Sequence, residues 1–190
     1  MPMFMDWPVH DREDWEEIKK RYNPDDPRRY PPVWGDELVE YYKRLDRPVA
    51  LAMAGFYAIG RQLMGTKNFP ALFYRDPKLA HDMMDHWADF LIESLRECVE
   101  TLKSSIDYIW WTEDMAHRHG PSISPKVFHE FMLPGYRKVT DFFKRNEIDT
   151  IIMDCDGDIR ILLPLLMEGG ITGTTPLECL PGLDIHDLRE

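Results

Sequence analysis

An α/β fold with parallel strands is what the sequence predicts, from three observations. Strand-like and helix-like stretches alternate from Pro48 onward, the helical stretches open on capping residues, and the apolar run "TIIMD" breaks into acids, "CDGD", before a further apolar stretch stops at Gly169-Gly170. Strands alternating with helices pair in parallel through right-handed crossovers.

The elements follow in order. Residues 1–46 form an N-terminal arm: "DREDWEEIKKRYNPDDPRRYPPVW" holds a short helix capped by Asp11, then a Pro- and Arg-rich segment without regular structure. This reads as an arm or lid and not as core. Residues 47–190 form the α/β domain. "PVALAMAG" is its first buried strand, and "FYAIGRQLMG" and "NFPALFYRD" follow as two short helices. Asp76 and Pro77 open the longest helix, expected to run to Ser104, because Asp caps well and Pro suits the first turn. Leu79, Met83, Trp87, Phe90, Leu91, Leu95, Cys98 and Leu102 recur there at three- and four-residue steps, giving one apolar stripe. "DYIWWTED" is the second strand. Ser124 and Pro125 open the next helix, in which Pro134 predicts a kink or break. "DTIIMD" is the third strand, "IRILLPLLMEGG" its helix with a glycine stop, "ITGTTPLE" the fourth strand, and "DIHDLRE" the start of a further helix.

Composition narrows the function classes. With 190 residues, 44% of them hydrophobic, the chain can bury one sizeable core. A net charge of -11 argues against nucleic acid or an anionic membrane surface as a partner and leaves small molecules or proteins. Cys98, Cys155 and Cys179 lack CxxC spacing and read as reduced thiols. No stretch is long and apolar enough to span a bilayer, and "MPMFMDWPVHDREDW" lacks the basic start and apolar core of a signal peptide. A cytoplasmic location is expected.

Four βα units are half of an eight-stranded (β/α)8, or TIM, barrel, a fold of about 250 residues. The alternatives are an open α/β sheet and a partial TIM barrel; the irregular arm and the unfinished last unit favour the partial barrel. In either, functional residues gather at the C-terminal ends of the strands. That rule selects Glu113 and Asp114 after the second strand, Asp154 and Asp156 after the third, and Glu178 after the fourth. Such carboxylates can hold a divalent cation, exchange protons with pKa values split by environment, or bind a cationic substrate. The structural alternatives are a helix cap for Asp156 or Asp158, a turn glycine at Gly157, and a solvated loop for Glu113-Asp114 before "HRHG". Arg61, in "GRQLMG", is a candidate contact for a substrate carboxylate, since its planar fork suits that role; a surface arginine is its alternative.

Two sharper readings of "DCDGD" can be tested by counting. A calcium EF-hand loop needs Gly at its sixth position and Glu at its twelfth, where counting from Asp154 finds Ile159 and Leu165, so that reading fails. The aspartyl-phosphate motif of haloacid-dehalogenase-like phosphatases, Asp-x-Asp-Gly-Thr, would make Asp154 nucleophile and Asp156 acid/base. Here Asp158 replaces the Thr, and no lysine follows to hold a phosphate. It stands as an alternative from another enzyme class.

The stretches "DREDWEEIKKRYNPDDPRRYP", "LMGTKNFPALFYRDPKLAHDMMDHWADF", "WTEDMAHRHGPSISPKVFHEFMLPGYRKV" and "IIMDCDGDIRILLPLLMEGGITGTTPLE" together resemble the uroporphyrinogen decarboxylase superfamily, near its cobalamin-dependent methyltransferase branch. The most specific part is the succession of an acidic strand end, Ser-Pro-x-x-Phe-x-x-Phe, and Asp-x-Asp-Gly-Asp before an Ile/Leu-rich helix. The resemblance implies a TIM barrel with its active site at the C-terminal mouth, roughly half of it absent from this chain. It implies either tetrapyrrole decarboxylation or methyl transfer involving a corrinoid borne by a partner protein. The family's N-terminal arginine-rich motif and early aspartate are not found here. Where the methyltransferase branch binds zinc through His-x-Cys, this sequence has Asp154 and Asp156, a pair able to hold zinc or another divalent metal with different preferences. Cys155 between them is expected to point to the other face of the strand. Glu113 and Asp114 match the family's acidic loop. The expected partners are a small carboxylated or methylated substrate, a corrinoid protein, and a second copy or a complementary half-barrel chain. The last of these is the non-enzymatic alternative: a truncated or split half inactive by itself.

Overall fold

The computed structural model describes residues 6–178 and residue 186. The proposed last helix over "DIHDLRE" and Cys179 therefore lie outside the described residues, apart from His186. Four strands form one parallel sheet: β1 (Ala50–Ala54), β2 (Tyr108–Thr112), β5 (Ile151–Asp154) and β6 (Gly173–Thr175), in the order β1-β2-β5-β6. Between β2 and β5 a two-residue antiparallel ribbon intervenes, β3 (Ala116–His117) with β4 (Gly120–Pro121). Strand order that follows chain order, with every neighbour parallel, is the winding of a barrel and not of a doubly wound sheet, whose order reverses at a switch point. The chain is a partial TIM barrel.

The period-two alternation of the strands separates the two faces of the sheet. Met53, Ile109, Trp111, Ile151 and Met153 are buried in the main core, whereas Trp110, Thr112, Ile152 and Asp154, on the opposite face, are only half-buried. Register aligns Ala54, Thr112, Asp154 and Thr175 across the four strands, so one row of side chains closes the C-terminal end of the sheet.

The helices begin where their caps place them. Asp11 accepts from the Asp14 N–H at the start of α1 (Arg12–Lys19), Asp76 from the Leu79 N–H at the start of α4 (Pro77–Leu102), and Ser124 from the Val127 N–H at the start of α5 (Pro125–Val127). A 3₁₀ turn, Lys103–Ser105, extends α4 to where the sequence pattern ends. The two short helices expected after β1 are one element, α3 (Phe56–Arg75), bent at Gly65, whose φ of +82° only glycine adopts readily. Pro134 cannot donate to the preceding turn. The chain accommodates it by widening to a π-helical turn over Phe128–Met132, after which α6 (Leu133–Arg145) continues without a break. Helix α7 (Leu163–Glu168) ends at Gly170, again at positive φ.

The N-terminal segment contributes more to the core than an arm would. Val9 and Trp15, and Val39 on α2 (Asp36–Lys43), are buried in the same cluster as the sheet. The contact is made through α4, which packs against α2 and carries Asp82. Asp82 on α4 anchors α1 by accepting from the Trp15 indole at 2.7 Å and from Lys19 at 2.8 Å. No helix among the described residues is long and apolar enough to cross a membrane.

Candidate functional site

Strand ends bring most of the acids selected from sequence to one end of the sheet, at different depths. Glu113 lies beneath the surface, fully buried at 0% exposure. Its carboxylate accepts from the backbone N–H groups of Phe56 (2.9 Å), Tyr57 (2.7 Å) and Ala58 (3.1 Å), which are the free donors of the first turn of α3. It also accepts from the Trp111 indole at 2.9 Å and from the Tyr136 hydroxyl. Burial pushes the Glu113 carboxyl above its usual range, while the donors from Tyr136, Trp111 and the α3 backbone oppose that. The partners surrounding it donate, which matches the ionised form. Burial and the adjacent carboxylate keep the Tyr136 phenol protonated, with its pKa well above the usual value.

Gly55 makes this arrangement possible. A Cβ there would fall 2.1 Å from Glu113 Oε1 and 2.2 Å from Trp111 Nε1. Sequence reasoning missed Gly55, Trp111 and Tyr136; the one available signal was a glycine at the turn from strand to helix in "MAGF".

Asp114, the next residue, has a positive φ of 50°, a conformation that aspartate tolerates better than most side chains, and its backbone therefore turns out of the strand direction. Its carboxylate pairs with Arg61 Nη2 at 2.8 Å, each side chain about one-third exposed. Arg61 is thus at the same end of the sheet as the acids. Asp154 closes β5. Burial first, then the like charges of Asp114 and Asp156, raise its carboxyl above the ordinary range, partly offset by a hydrogen bond from Trp110. The structure thus brings Asp114 and Asp156 each into electrostatic reach of Asp154.

Glu178 supports the turn that carries Asp156, accepting from the Gly157 N–H at 2.8 Å. Gly157 has φ +86°, and a Cβ there would meet the His117 backbone at 2.6 Å, so the β3–β4 ribbon rests on this turn. Asp158 accepts from the Arg160 N–H and guanidinium, which hold its carboxyl below the usual range; it is the turn-capping acid of the group. Cys155 is buried, accepts from the Met115 N–H at 3.3 Å, and has its thiol pushed up to about 12 by burial. It does not share the exposure of Asp154 and Asp156 on either side, as alternation requires.

Among the described residues no three His, Cys, Asp or Glu side chains are arranged to hold a metal ion. Asp154 and Asp156 alone would supply part of a coordination sphere, and a metal bound there would need further donors.

Comparison with known proteins agrees with this geometry. No curated protein matches the chain. Among solved structures, a methyltransferase from Methanosarcina mazei is similar, with a TM-score of 0.56 and 16% sequence identity over 73% of this chain and 38% of that one. This chain therefore spans less than two-fifths of that protein's length, and the likeness is one of fold. The family model for uroporphyrinogen decarboxylase (URO-D) matches residues 2–176. With the barrel winding, this removes the phosphatase alternative for Asp154 and Asp156. The chain belongs to the uroporphyrinogen decarboxylase family.

Proposed function

We propose that this URO-D domain acts on a small carboxylated or methylated substrate at the C-terminal end of the sheet, with Asp154 handling the proton. The observation that carries this reading is the placement of Asp154 at a strand end, where partial burial and then two neighbouring acids raise its affinity for a proton. In a decarboxylation, the bond to the departing carboxylate breaks, CO2 leaves, and the electron pair stays on carbon. Asp154 would then deliver the proton that completes the new C–H bond and be reprotonated from solvent. In methyl transfer, a corrinoid borne by a partner would supply the methyl-carrying chemistry; the name of the structural neighbour favours this branch at the level of fold only. Glu113 is a positioning residue in either case, fixing the first turn of α3, the helix that carries Arg61 one turn further on. Glu178 does the same for the turn bearing Asp156.

The test is CO2 release from a carboxylated tetrapyrrole, and methyl transfer to a corrinoid protein, by wild type and Asp154→Asn. A loss of about 100-fold in one of these rates with the fold intact supports the reading. Equal rates in the two proteins would remove Asp154 from the mechanism.

A second reading is that the domain works only with a complementary half-barrel or a second copy. The edges of the sheet favour it: among the described residues β1 pairs only with β2, and β6 only with β5. A turnover-competent monomer in size-exclusion chromatography would overturn it.

A further inference from the structure

Beside the acidic strand ends runs a cavity of about 570 Å³, lined by Trp7, Arg61, Gln62 and Thr66. That volume lies within the range of roughly 300–1,000 Å³ usual for small-molecule sites. None of its described lining residues is acidic. Three features of the fold build it. The first is Arg61, which gives Nη2 to Asp114 and is held in place by that pair, while its Nε and Nη1 have no hydrogen-bond partner among the described residues. The second is the kink of α3. At Gly65 the absence of a side chain lets the Trp7 ring lie against the backbone, where a Cβ would come within 2.5 Å of the ring. Trp7 thereby stands one helical turn beyond Arg61, and Gln62 and Thr66, also one turn apart, line the same cavity. The third is the anchoring of the N-terminal segment, whose Val9 N–H donates to the Leu63 carbonyl at 3.0 Å and so fixes Trp7 two residues away.

We propose that this cavity is a binding subsite for the carboxylate end of a small, flat or aliphatic organic acid, with Arg61 receiving the charge and Trp7 forming the apolar wall. It rests on the proposed function, since it presents the carboxylated part of a substrate beside Asp154. An arginine in this position is prepared for an anion: its orientation is set by one carboxylate, and it lines a cavity whose other described walls are Trp7, Gln62 and Thr66. The N-terminal segment then has a direct role in substrate selection, because among the described residues Trp7 is the wall of the subsite contributed from outside α3.

The test is a titration of the purified chain with benzoate, a carboxylate on a flat ring, followed by the indole ¹H–¹⁵N resonance of Trp7, assigned with Trp7→Phe. Benzamide serves as the neutral isostere and benzylamine as the cation. Benzoate should shift the Trp7 resonance saturably and bind more tightly than either control. Arg61→Gln should weaken it by about tenfold or more, since hydrogen bonds to charged groups carry most of such affinity. Trp7→Ala should weaken it too, measured by calorimetry, and Trp7→Phe should retain it. No benzoate binding, stronger benzylamine binding, or binding unchanged in Arg61→Gln would each overturn the subsite. The two proposals fail separately. Benzoate binding that persists in Asp154→Asn leaves the subsite standing whatever the reaction proves to be. A rate that depends on Asp154 without benzoate binding leaves the function and removes the subsite.

Discussion

The Glu113 carboxylate occupies the space that a side chain on Gly55 would fill, 2.1 Å from where its Cβ would stand. The acid of one strand end is thereby locked onto the first turn of the helix that follows the neighbouring strand.

Gly55→Ala should accordingly be among the most damaging small substitutions in the chain. Displacing Glu113 adds the loss of paired donors to ordinary overpacking, so a destabilisation of about 3 kcal/mol or more is expected in urea unfolding. Glu113→Gln should cost a comparable 3–5 kcal/mol or so, because an amide nitrogen would face donors in the interior. A change below about 1 kcal/mol in both would show that the buried carboxylate contributes little.

Asp154→Asn should stabilise the fold at neutral pH. The folded-state pKa of Asp154 is raised, so its ionised form is penalised as pH rises through that value, and the favourable contribution belongs to the protonated form at low pH. The variant removes the penalty. Solvent screening keeps the gain small, a rise in Tm of about 1–2 °C at pH 7 that shrinks toward pH 4. A gain equal at both pH values would mean that the penalty on the ionised Asp154 carboxylate, from burial and then from its acidic neighbours, is not its source.

The docking of α1 should weaken in acid. His86 packs edge-on against Trp15 at 5.5 Å between ring centroids and near Tyr22 at 6.4 Å, and its buried Nε2 has no hydrogen-bond partner among the described residues. Burial, then Lys19, lowers its pKa, against the smaller opposing effects of Asp82, Asp89 and Glu16. A histidine with a depressed folded pKa contributes stability above its unfolded value, about 6.5, which is lost as pH falls from there through the folded value. Asp82, held low by Lys19 and Trp15 against its own desolvation, adds a second loss at still lower pH. The protection of residues 12–19 against hydrogen exchange, taken relative to an intrinsic rate that itself slows toward acid, should therefore fall between pH 7 and pH 5, and His86→Phe should suppress that loss.

Cys155 should be inert in the folded chain. With its thiol near 12 and its sulfur buried, it should escape iodoacetamide at pH 8 under native conditions and react in urea. Peptide mapping by mass spectrometry reads this directly; native labelling at a rate similar to that in urea would show that the β5 end opens readily.

Much of the fold was legible in the sequence because its signals are local. Asp11, Asp76 and Ser124 cap the helices they were expected to cap, since a side chain and the N–H it accepts from lie within three residues of each other. The strands lie where the apolar runs place them. Pro134 was read as a kink or break because its missing N–H is local knowledge, whereas the π turn that absorbs it depends on Phe128, Phe131 and Met132 being buried by the rest of the domain. By composition alone the N-terminal segment reads as separate from the core, because a Pro- and Arg-rich stretch says nothing about Trp15 meeting Asp82, 67 residues away.

The same division runs through the site. By itself, the sequence determined that acids follow the strands, because a strand end is a local event and the barrel rule places function there. Only the tertiary structure decided which acid is buried and which is exposed. Glu113 and Asp114 are adjacent in sequence, yet the first is buried against α3 and the second turns out to meet Arg61, 53 residues away. That separation is set by the alternation of the strand, the free donors of a distant helix, and the space left by Gly55, long-range relations that no local pattern encodes.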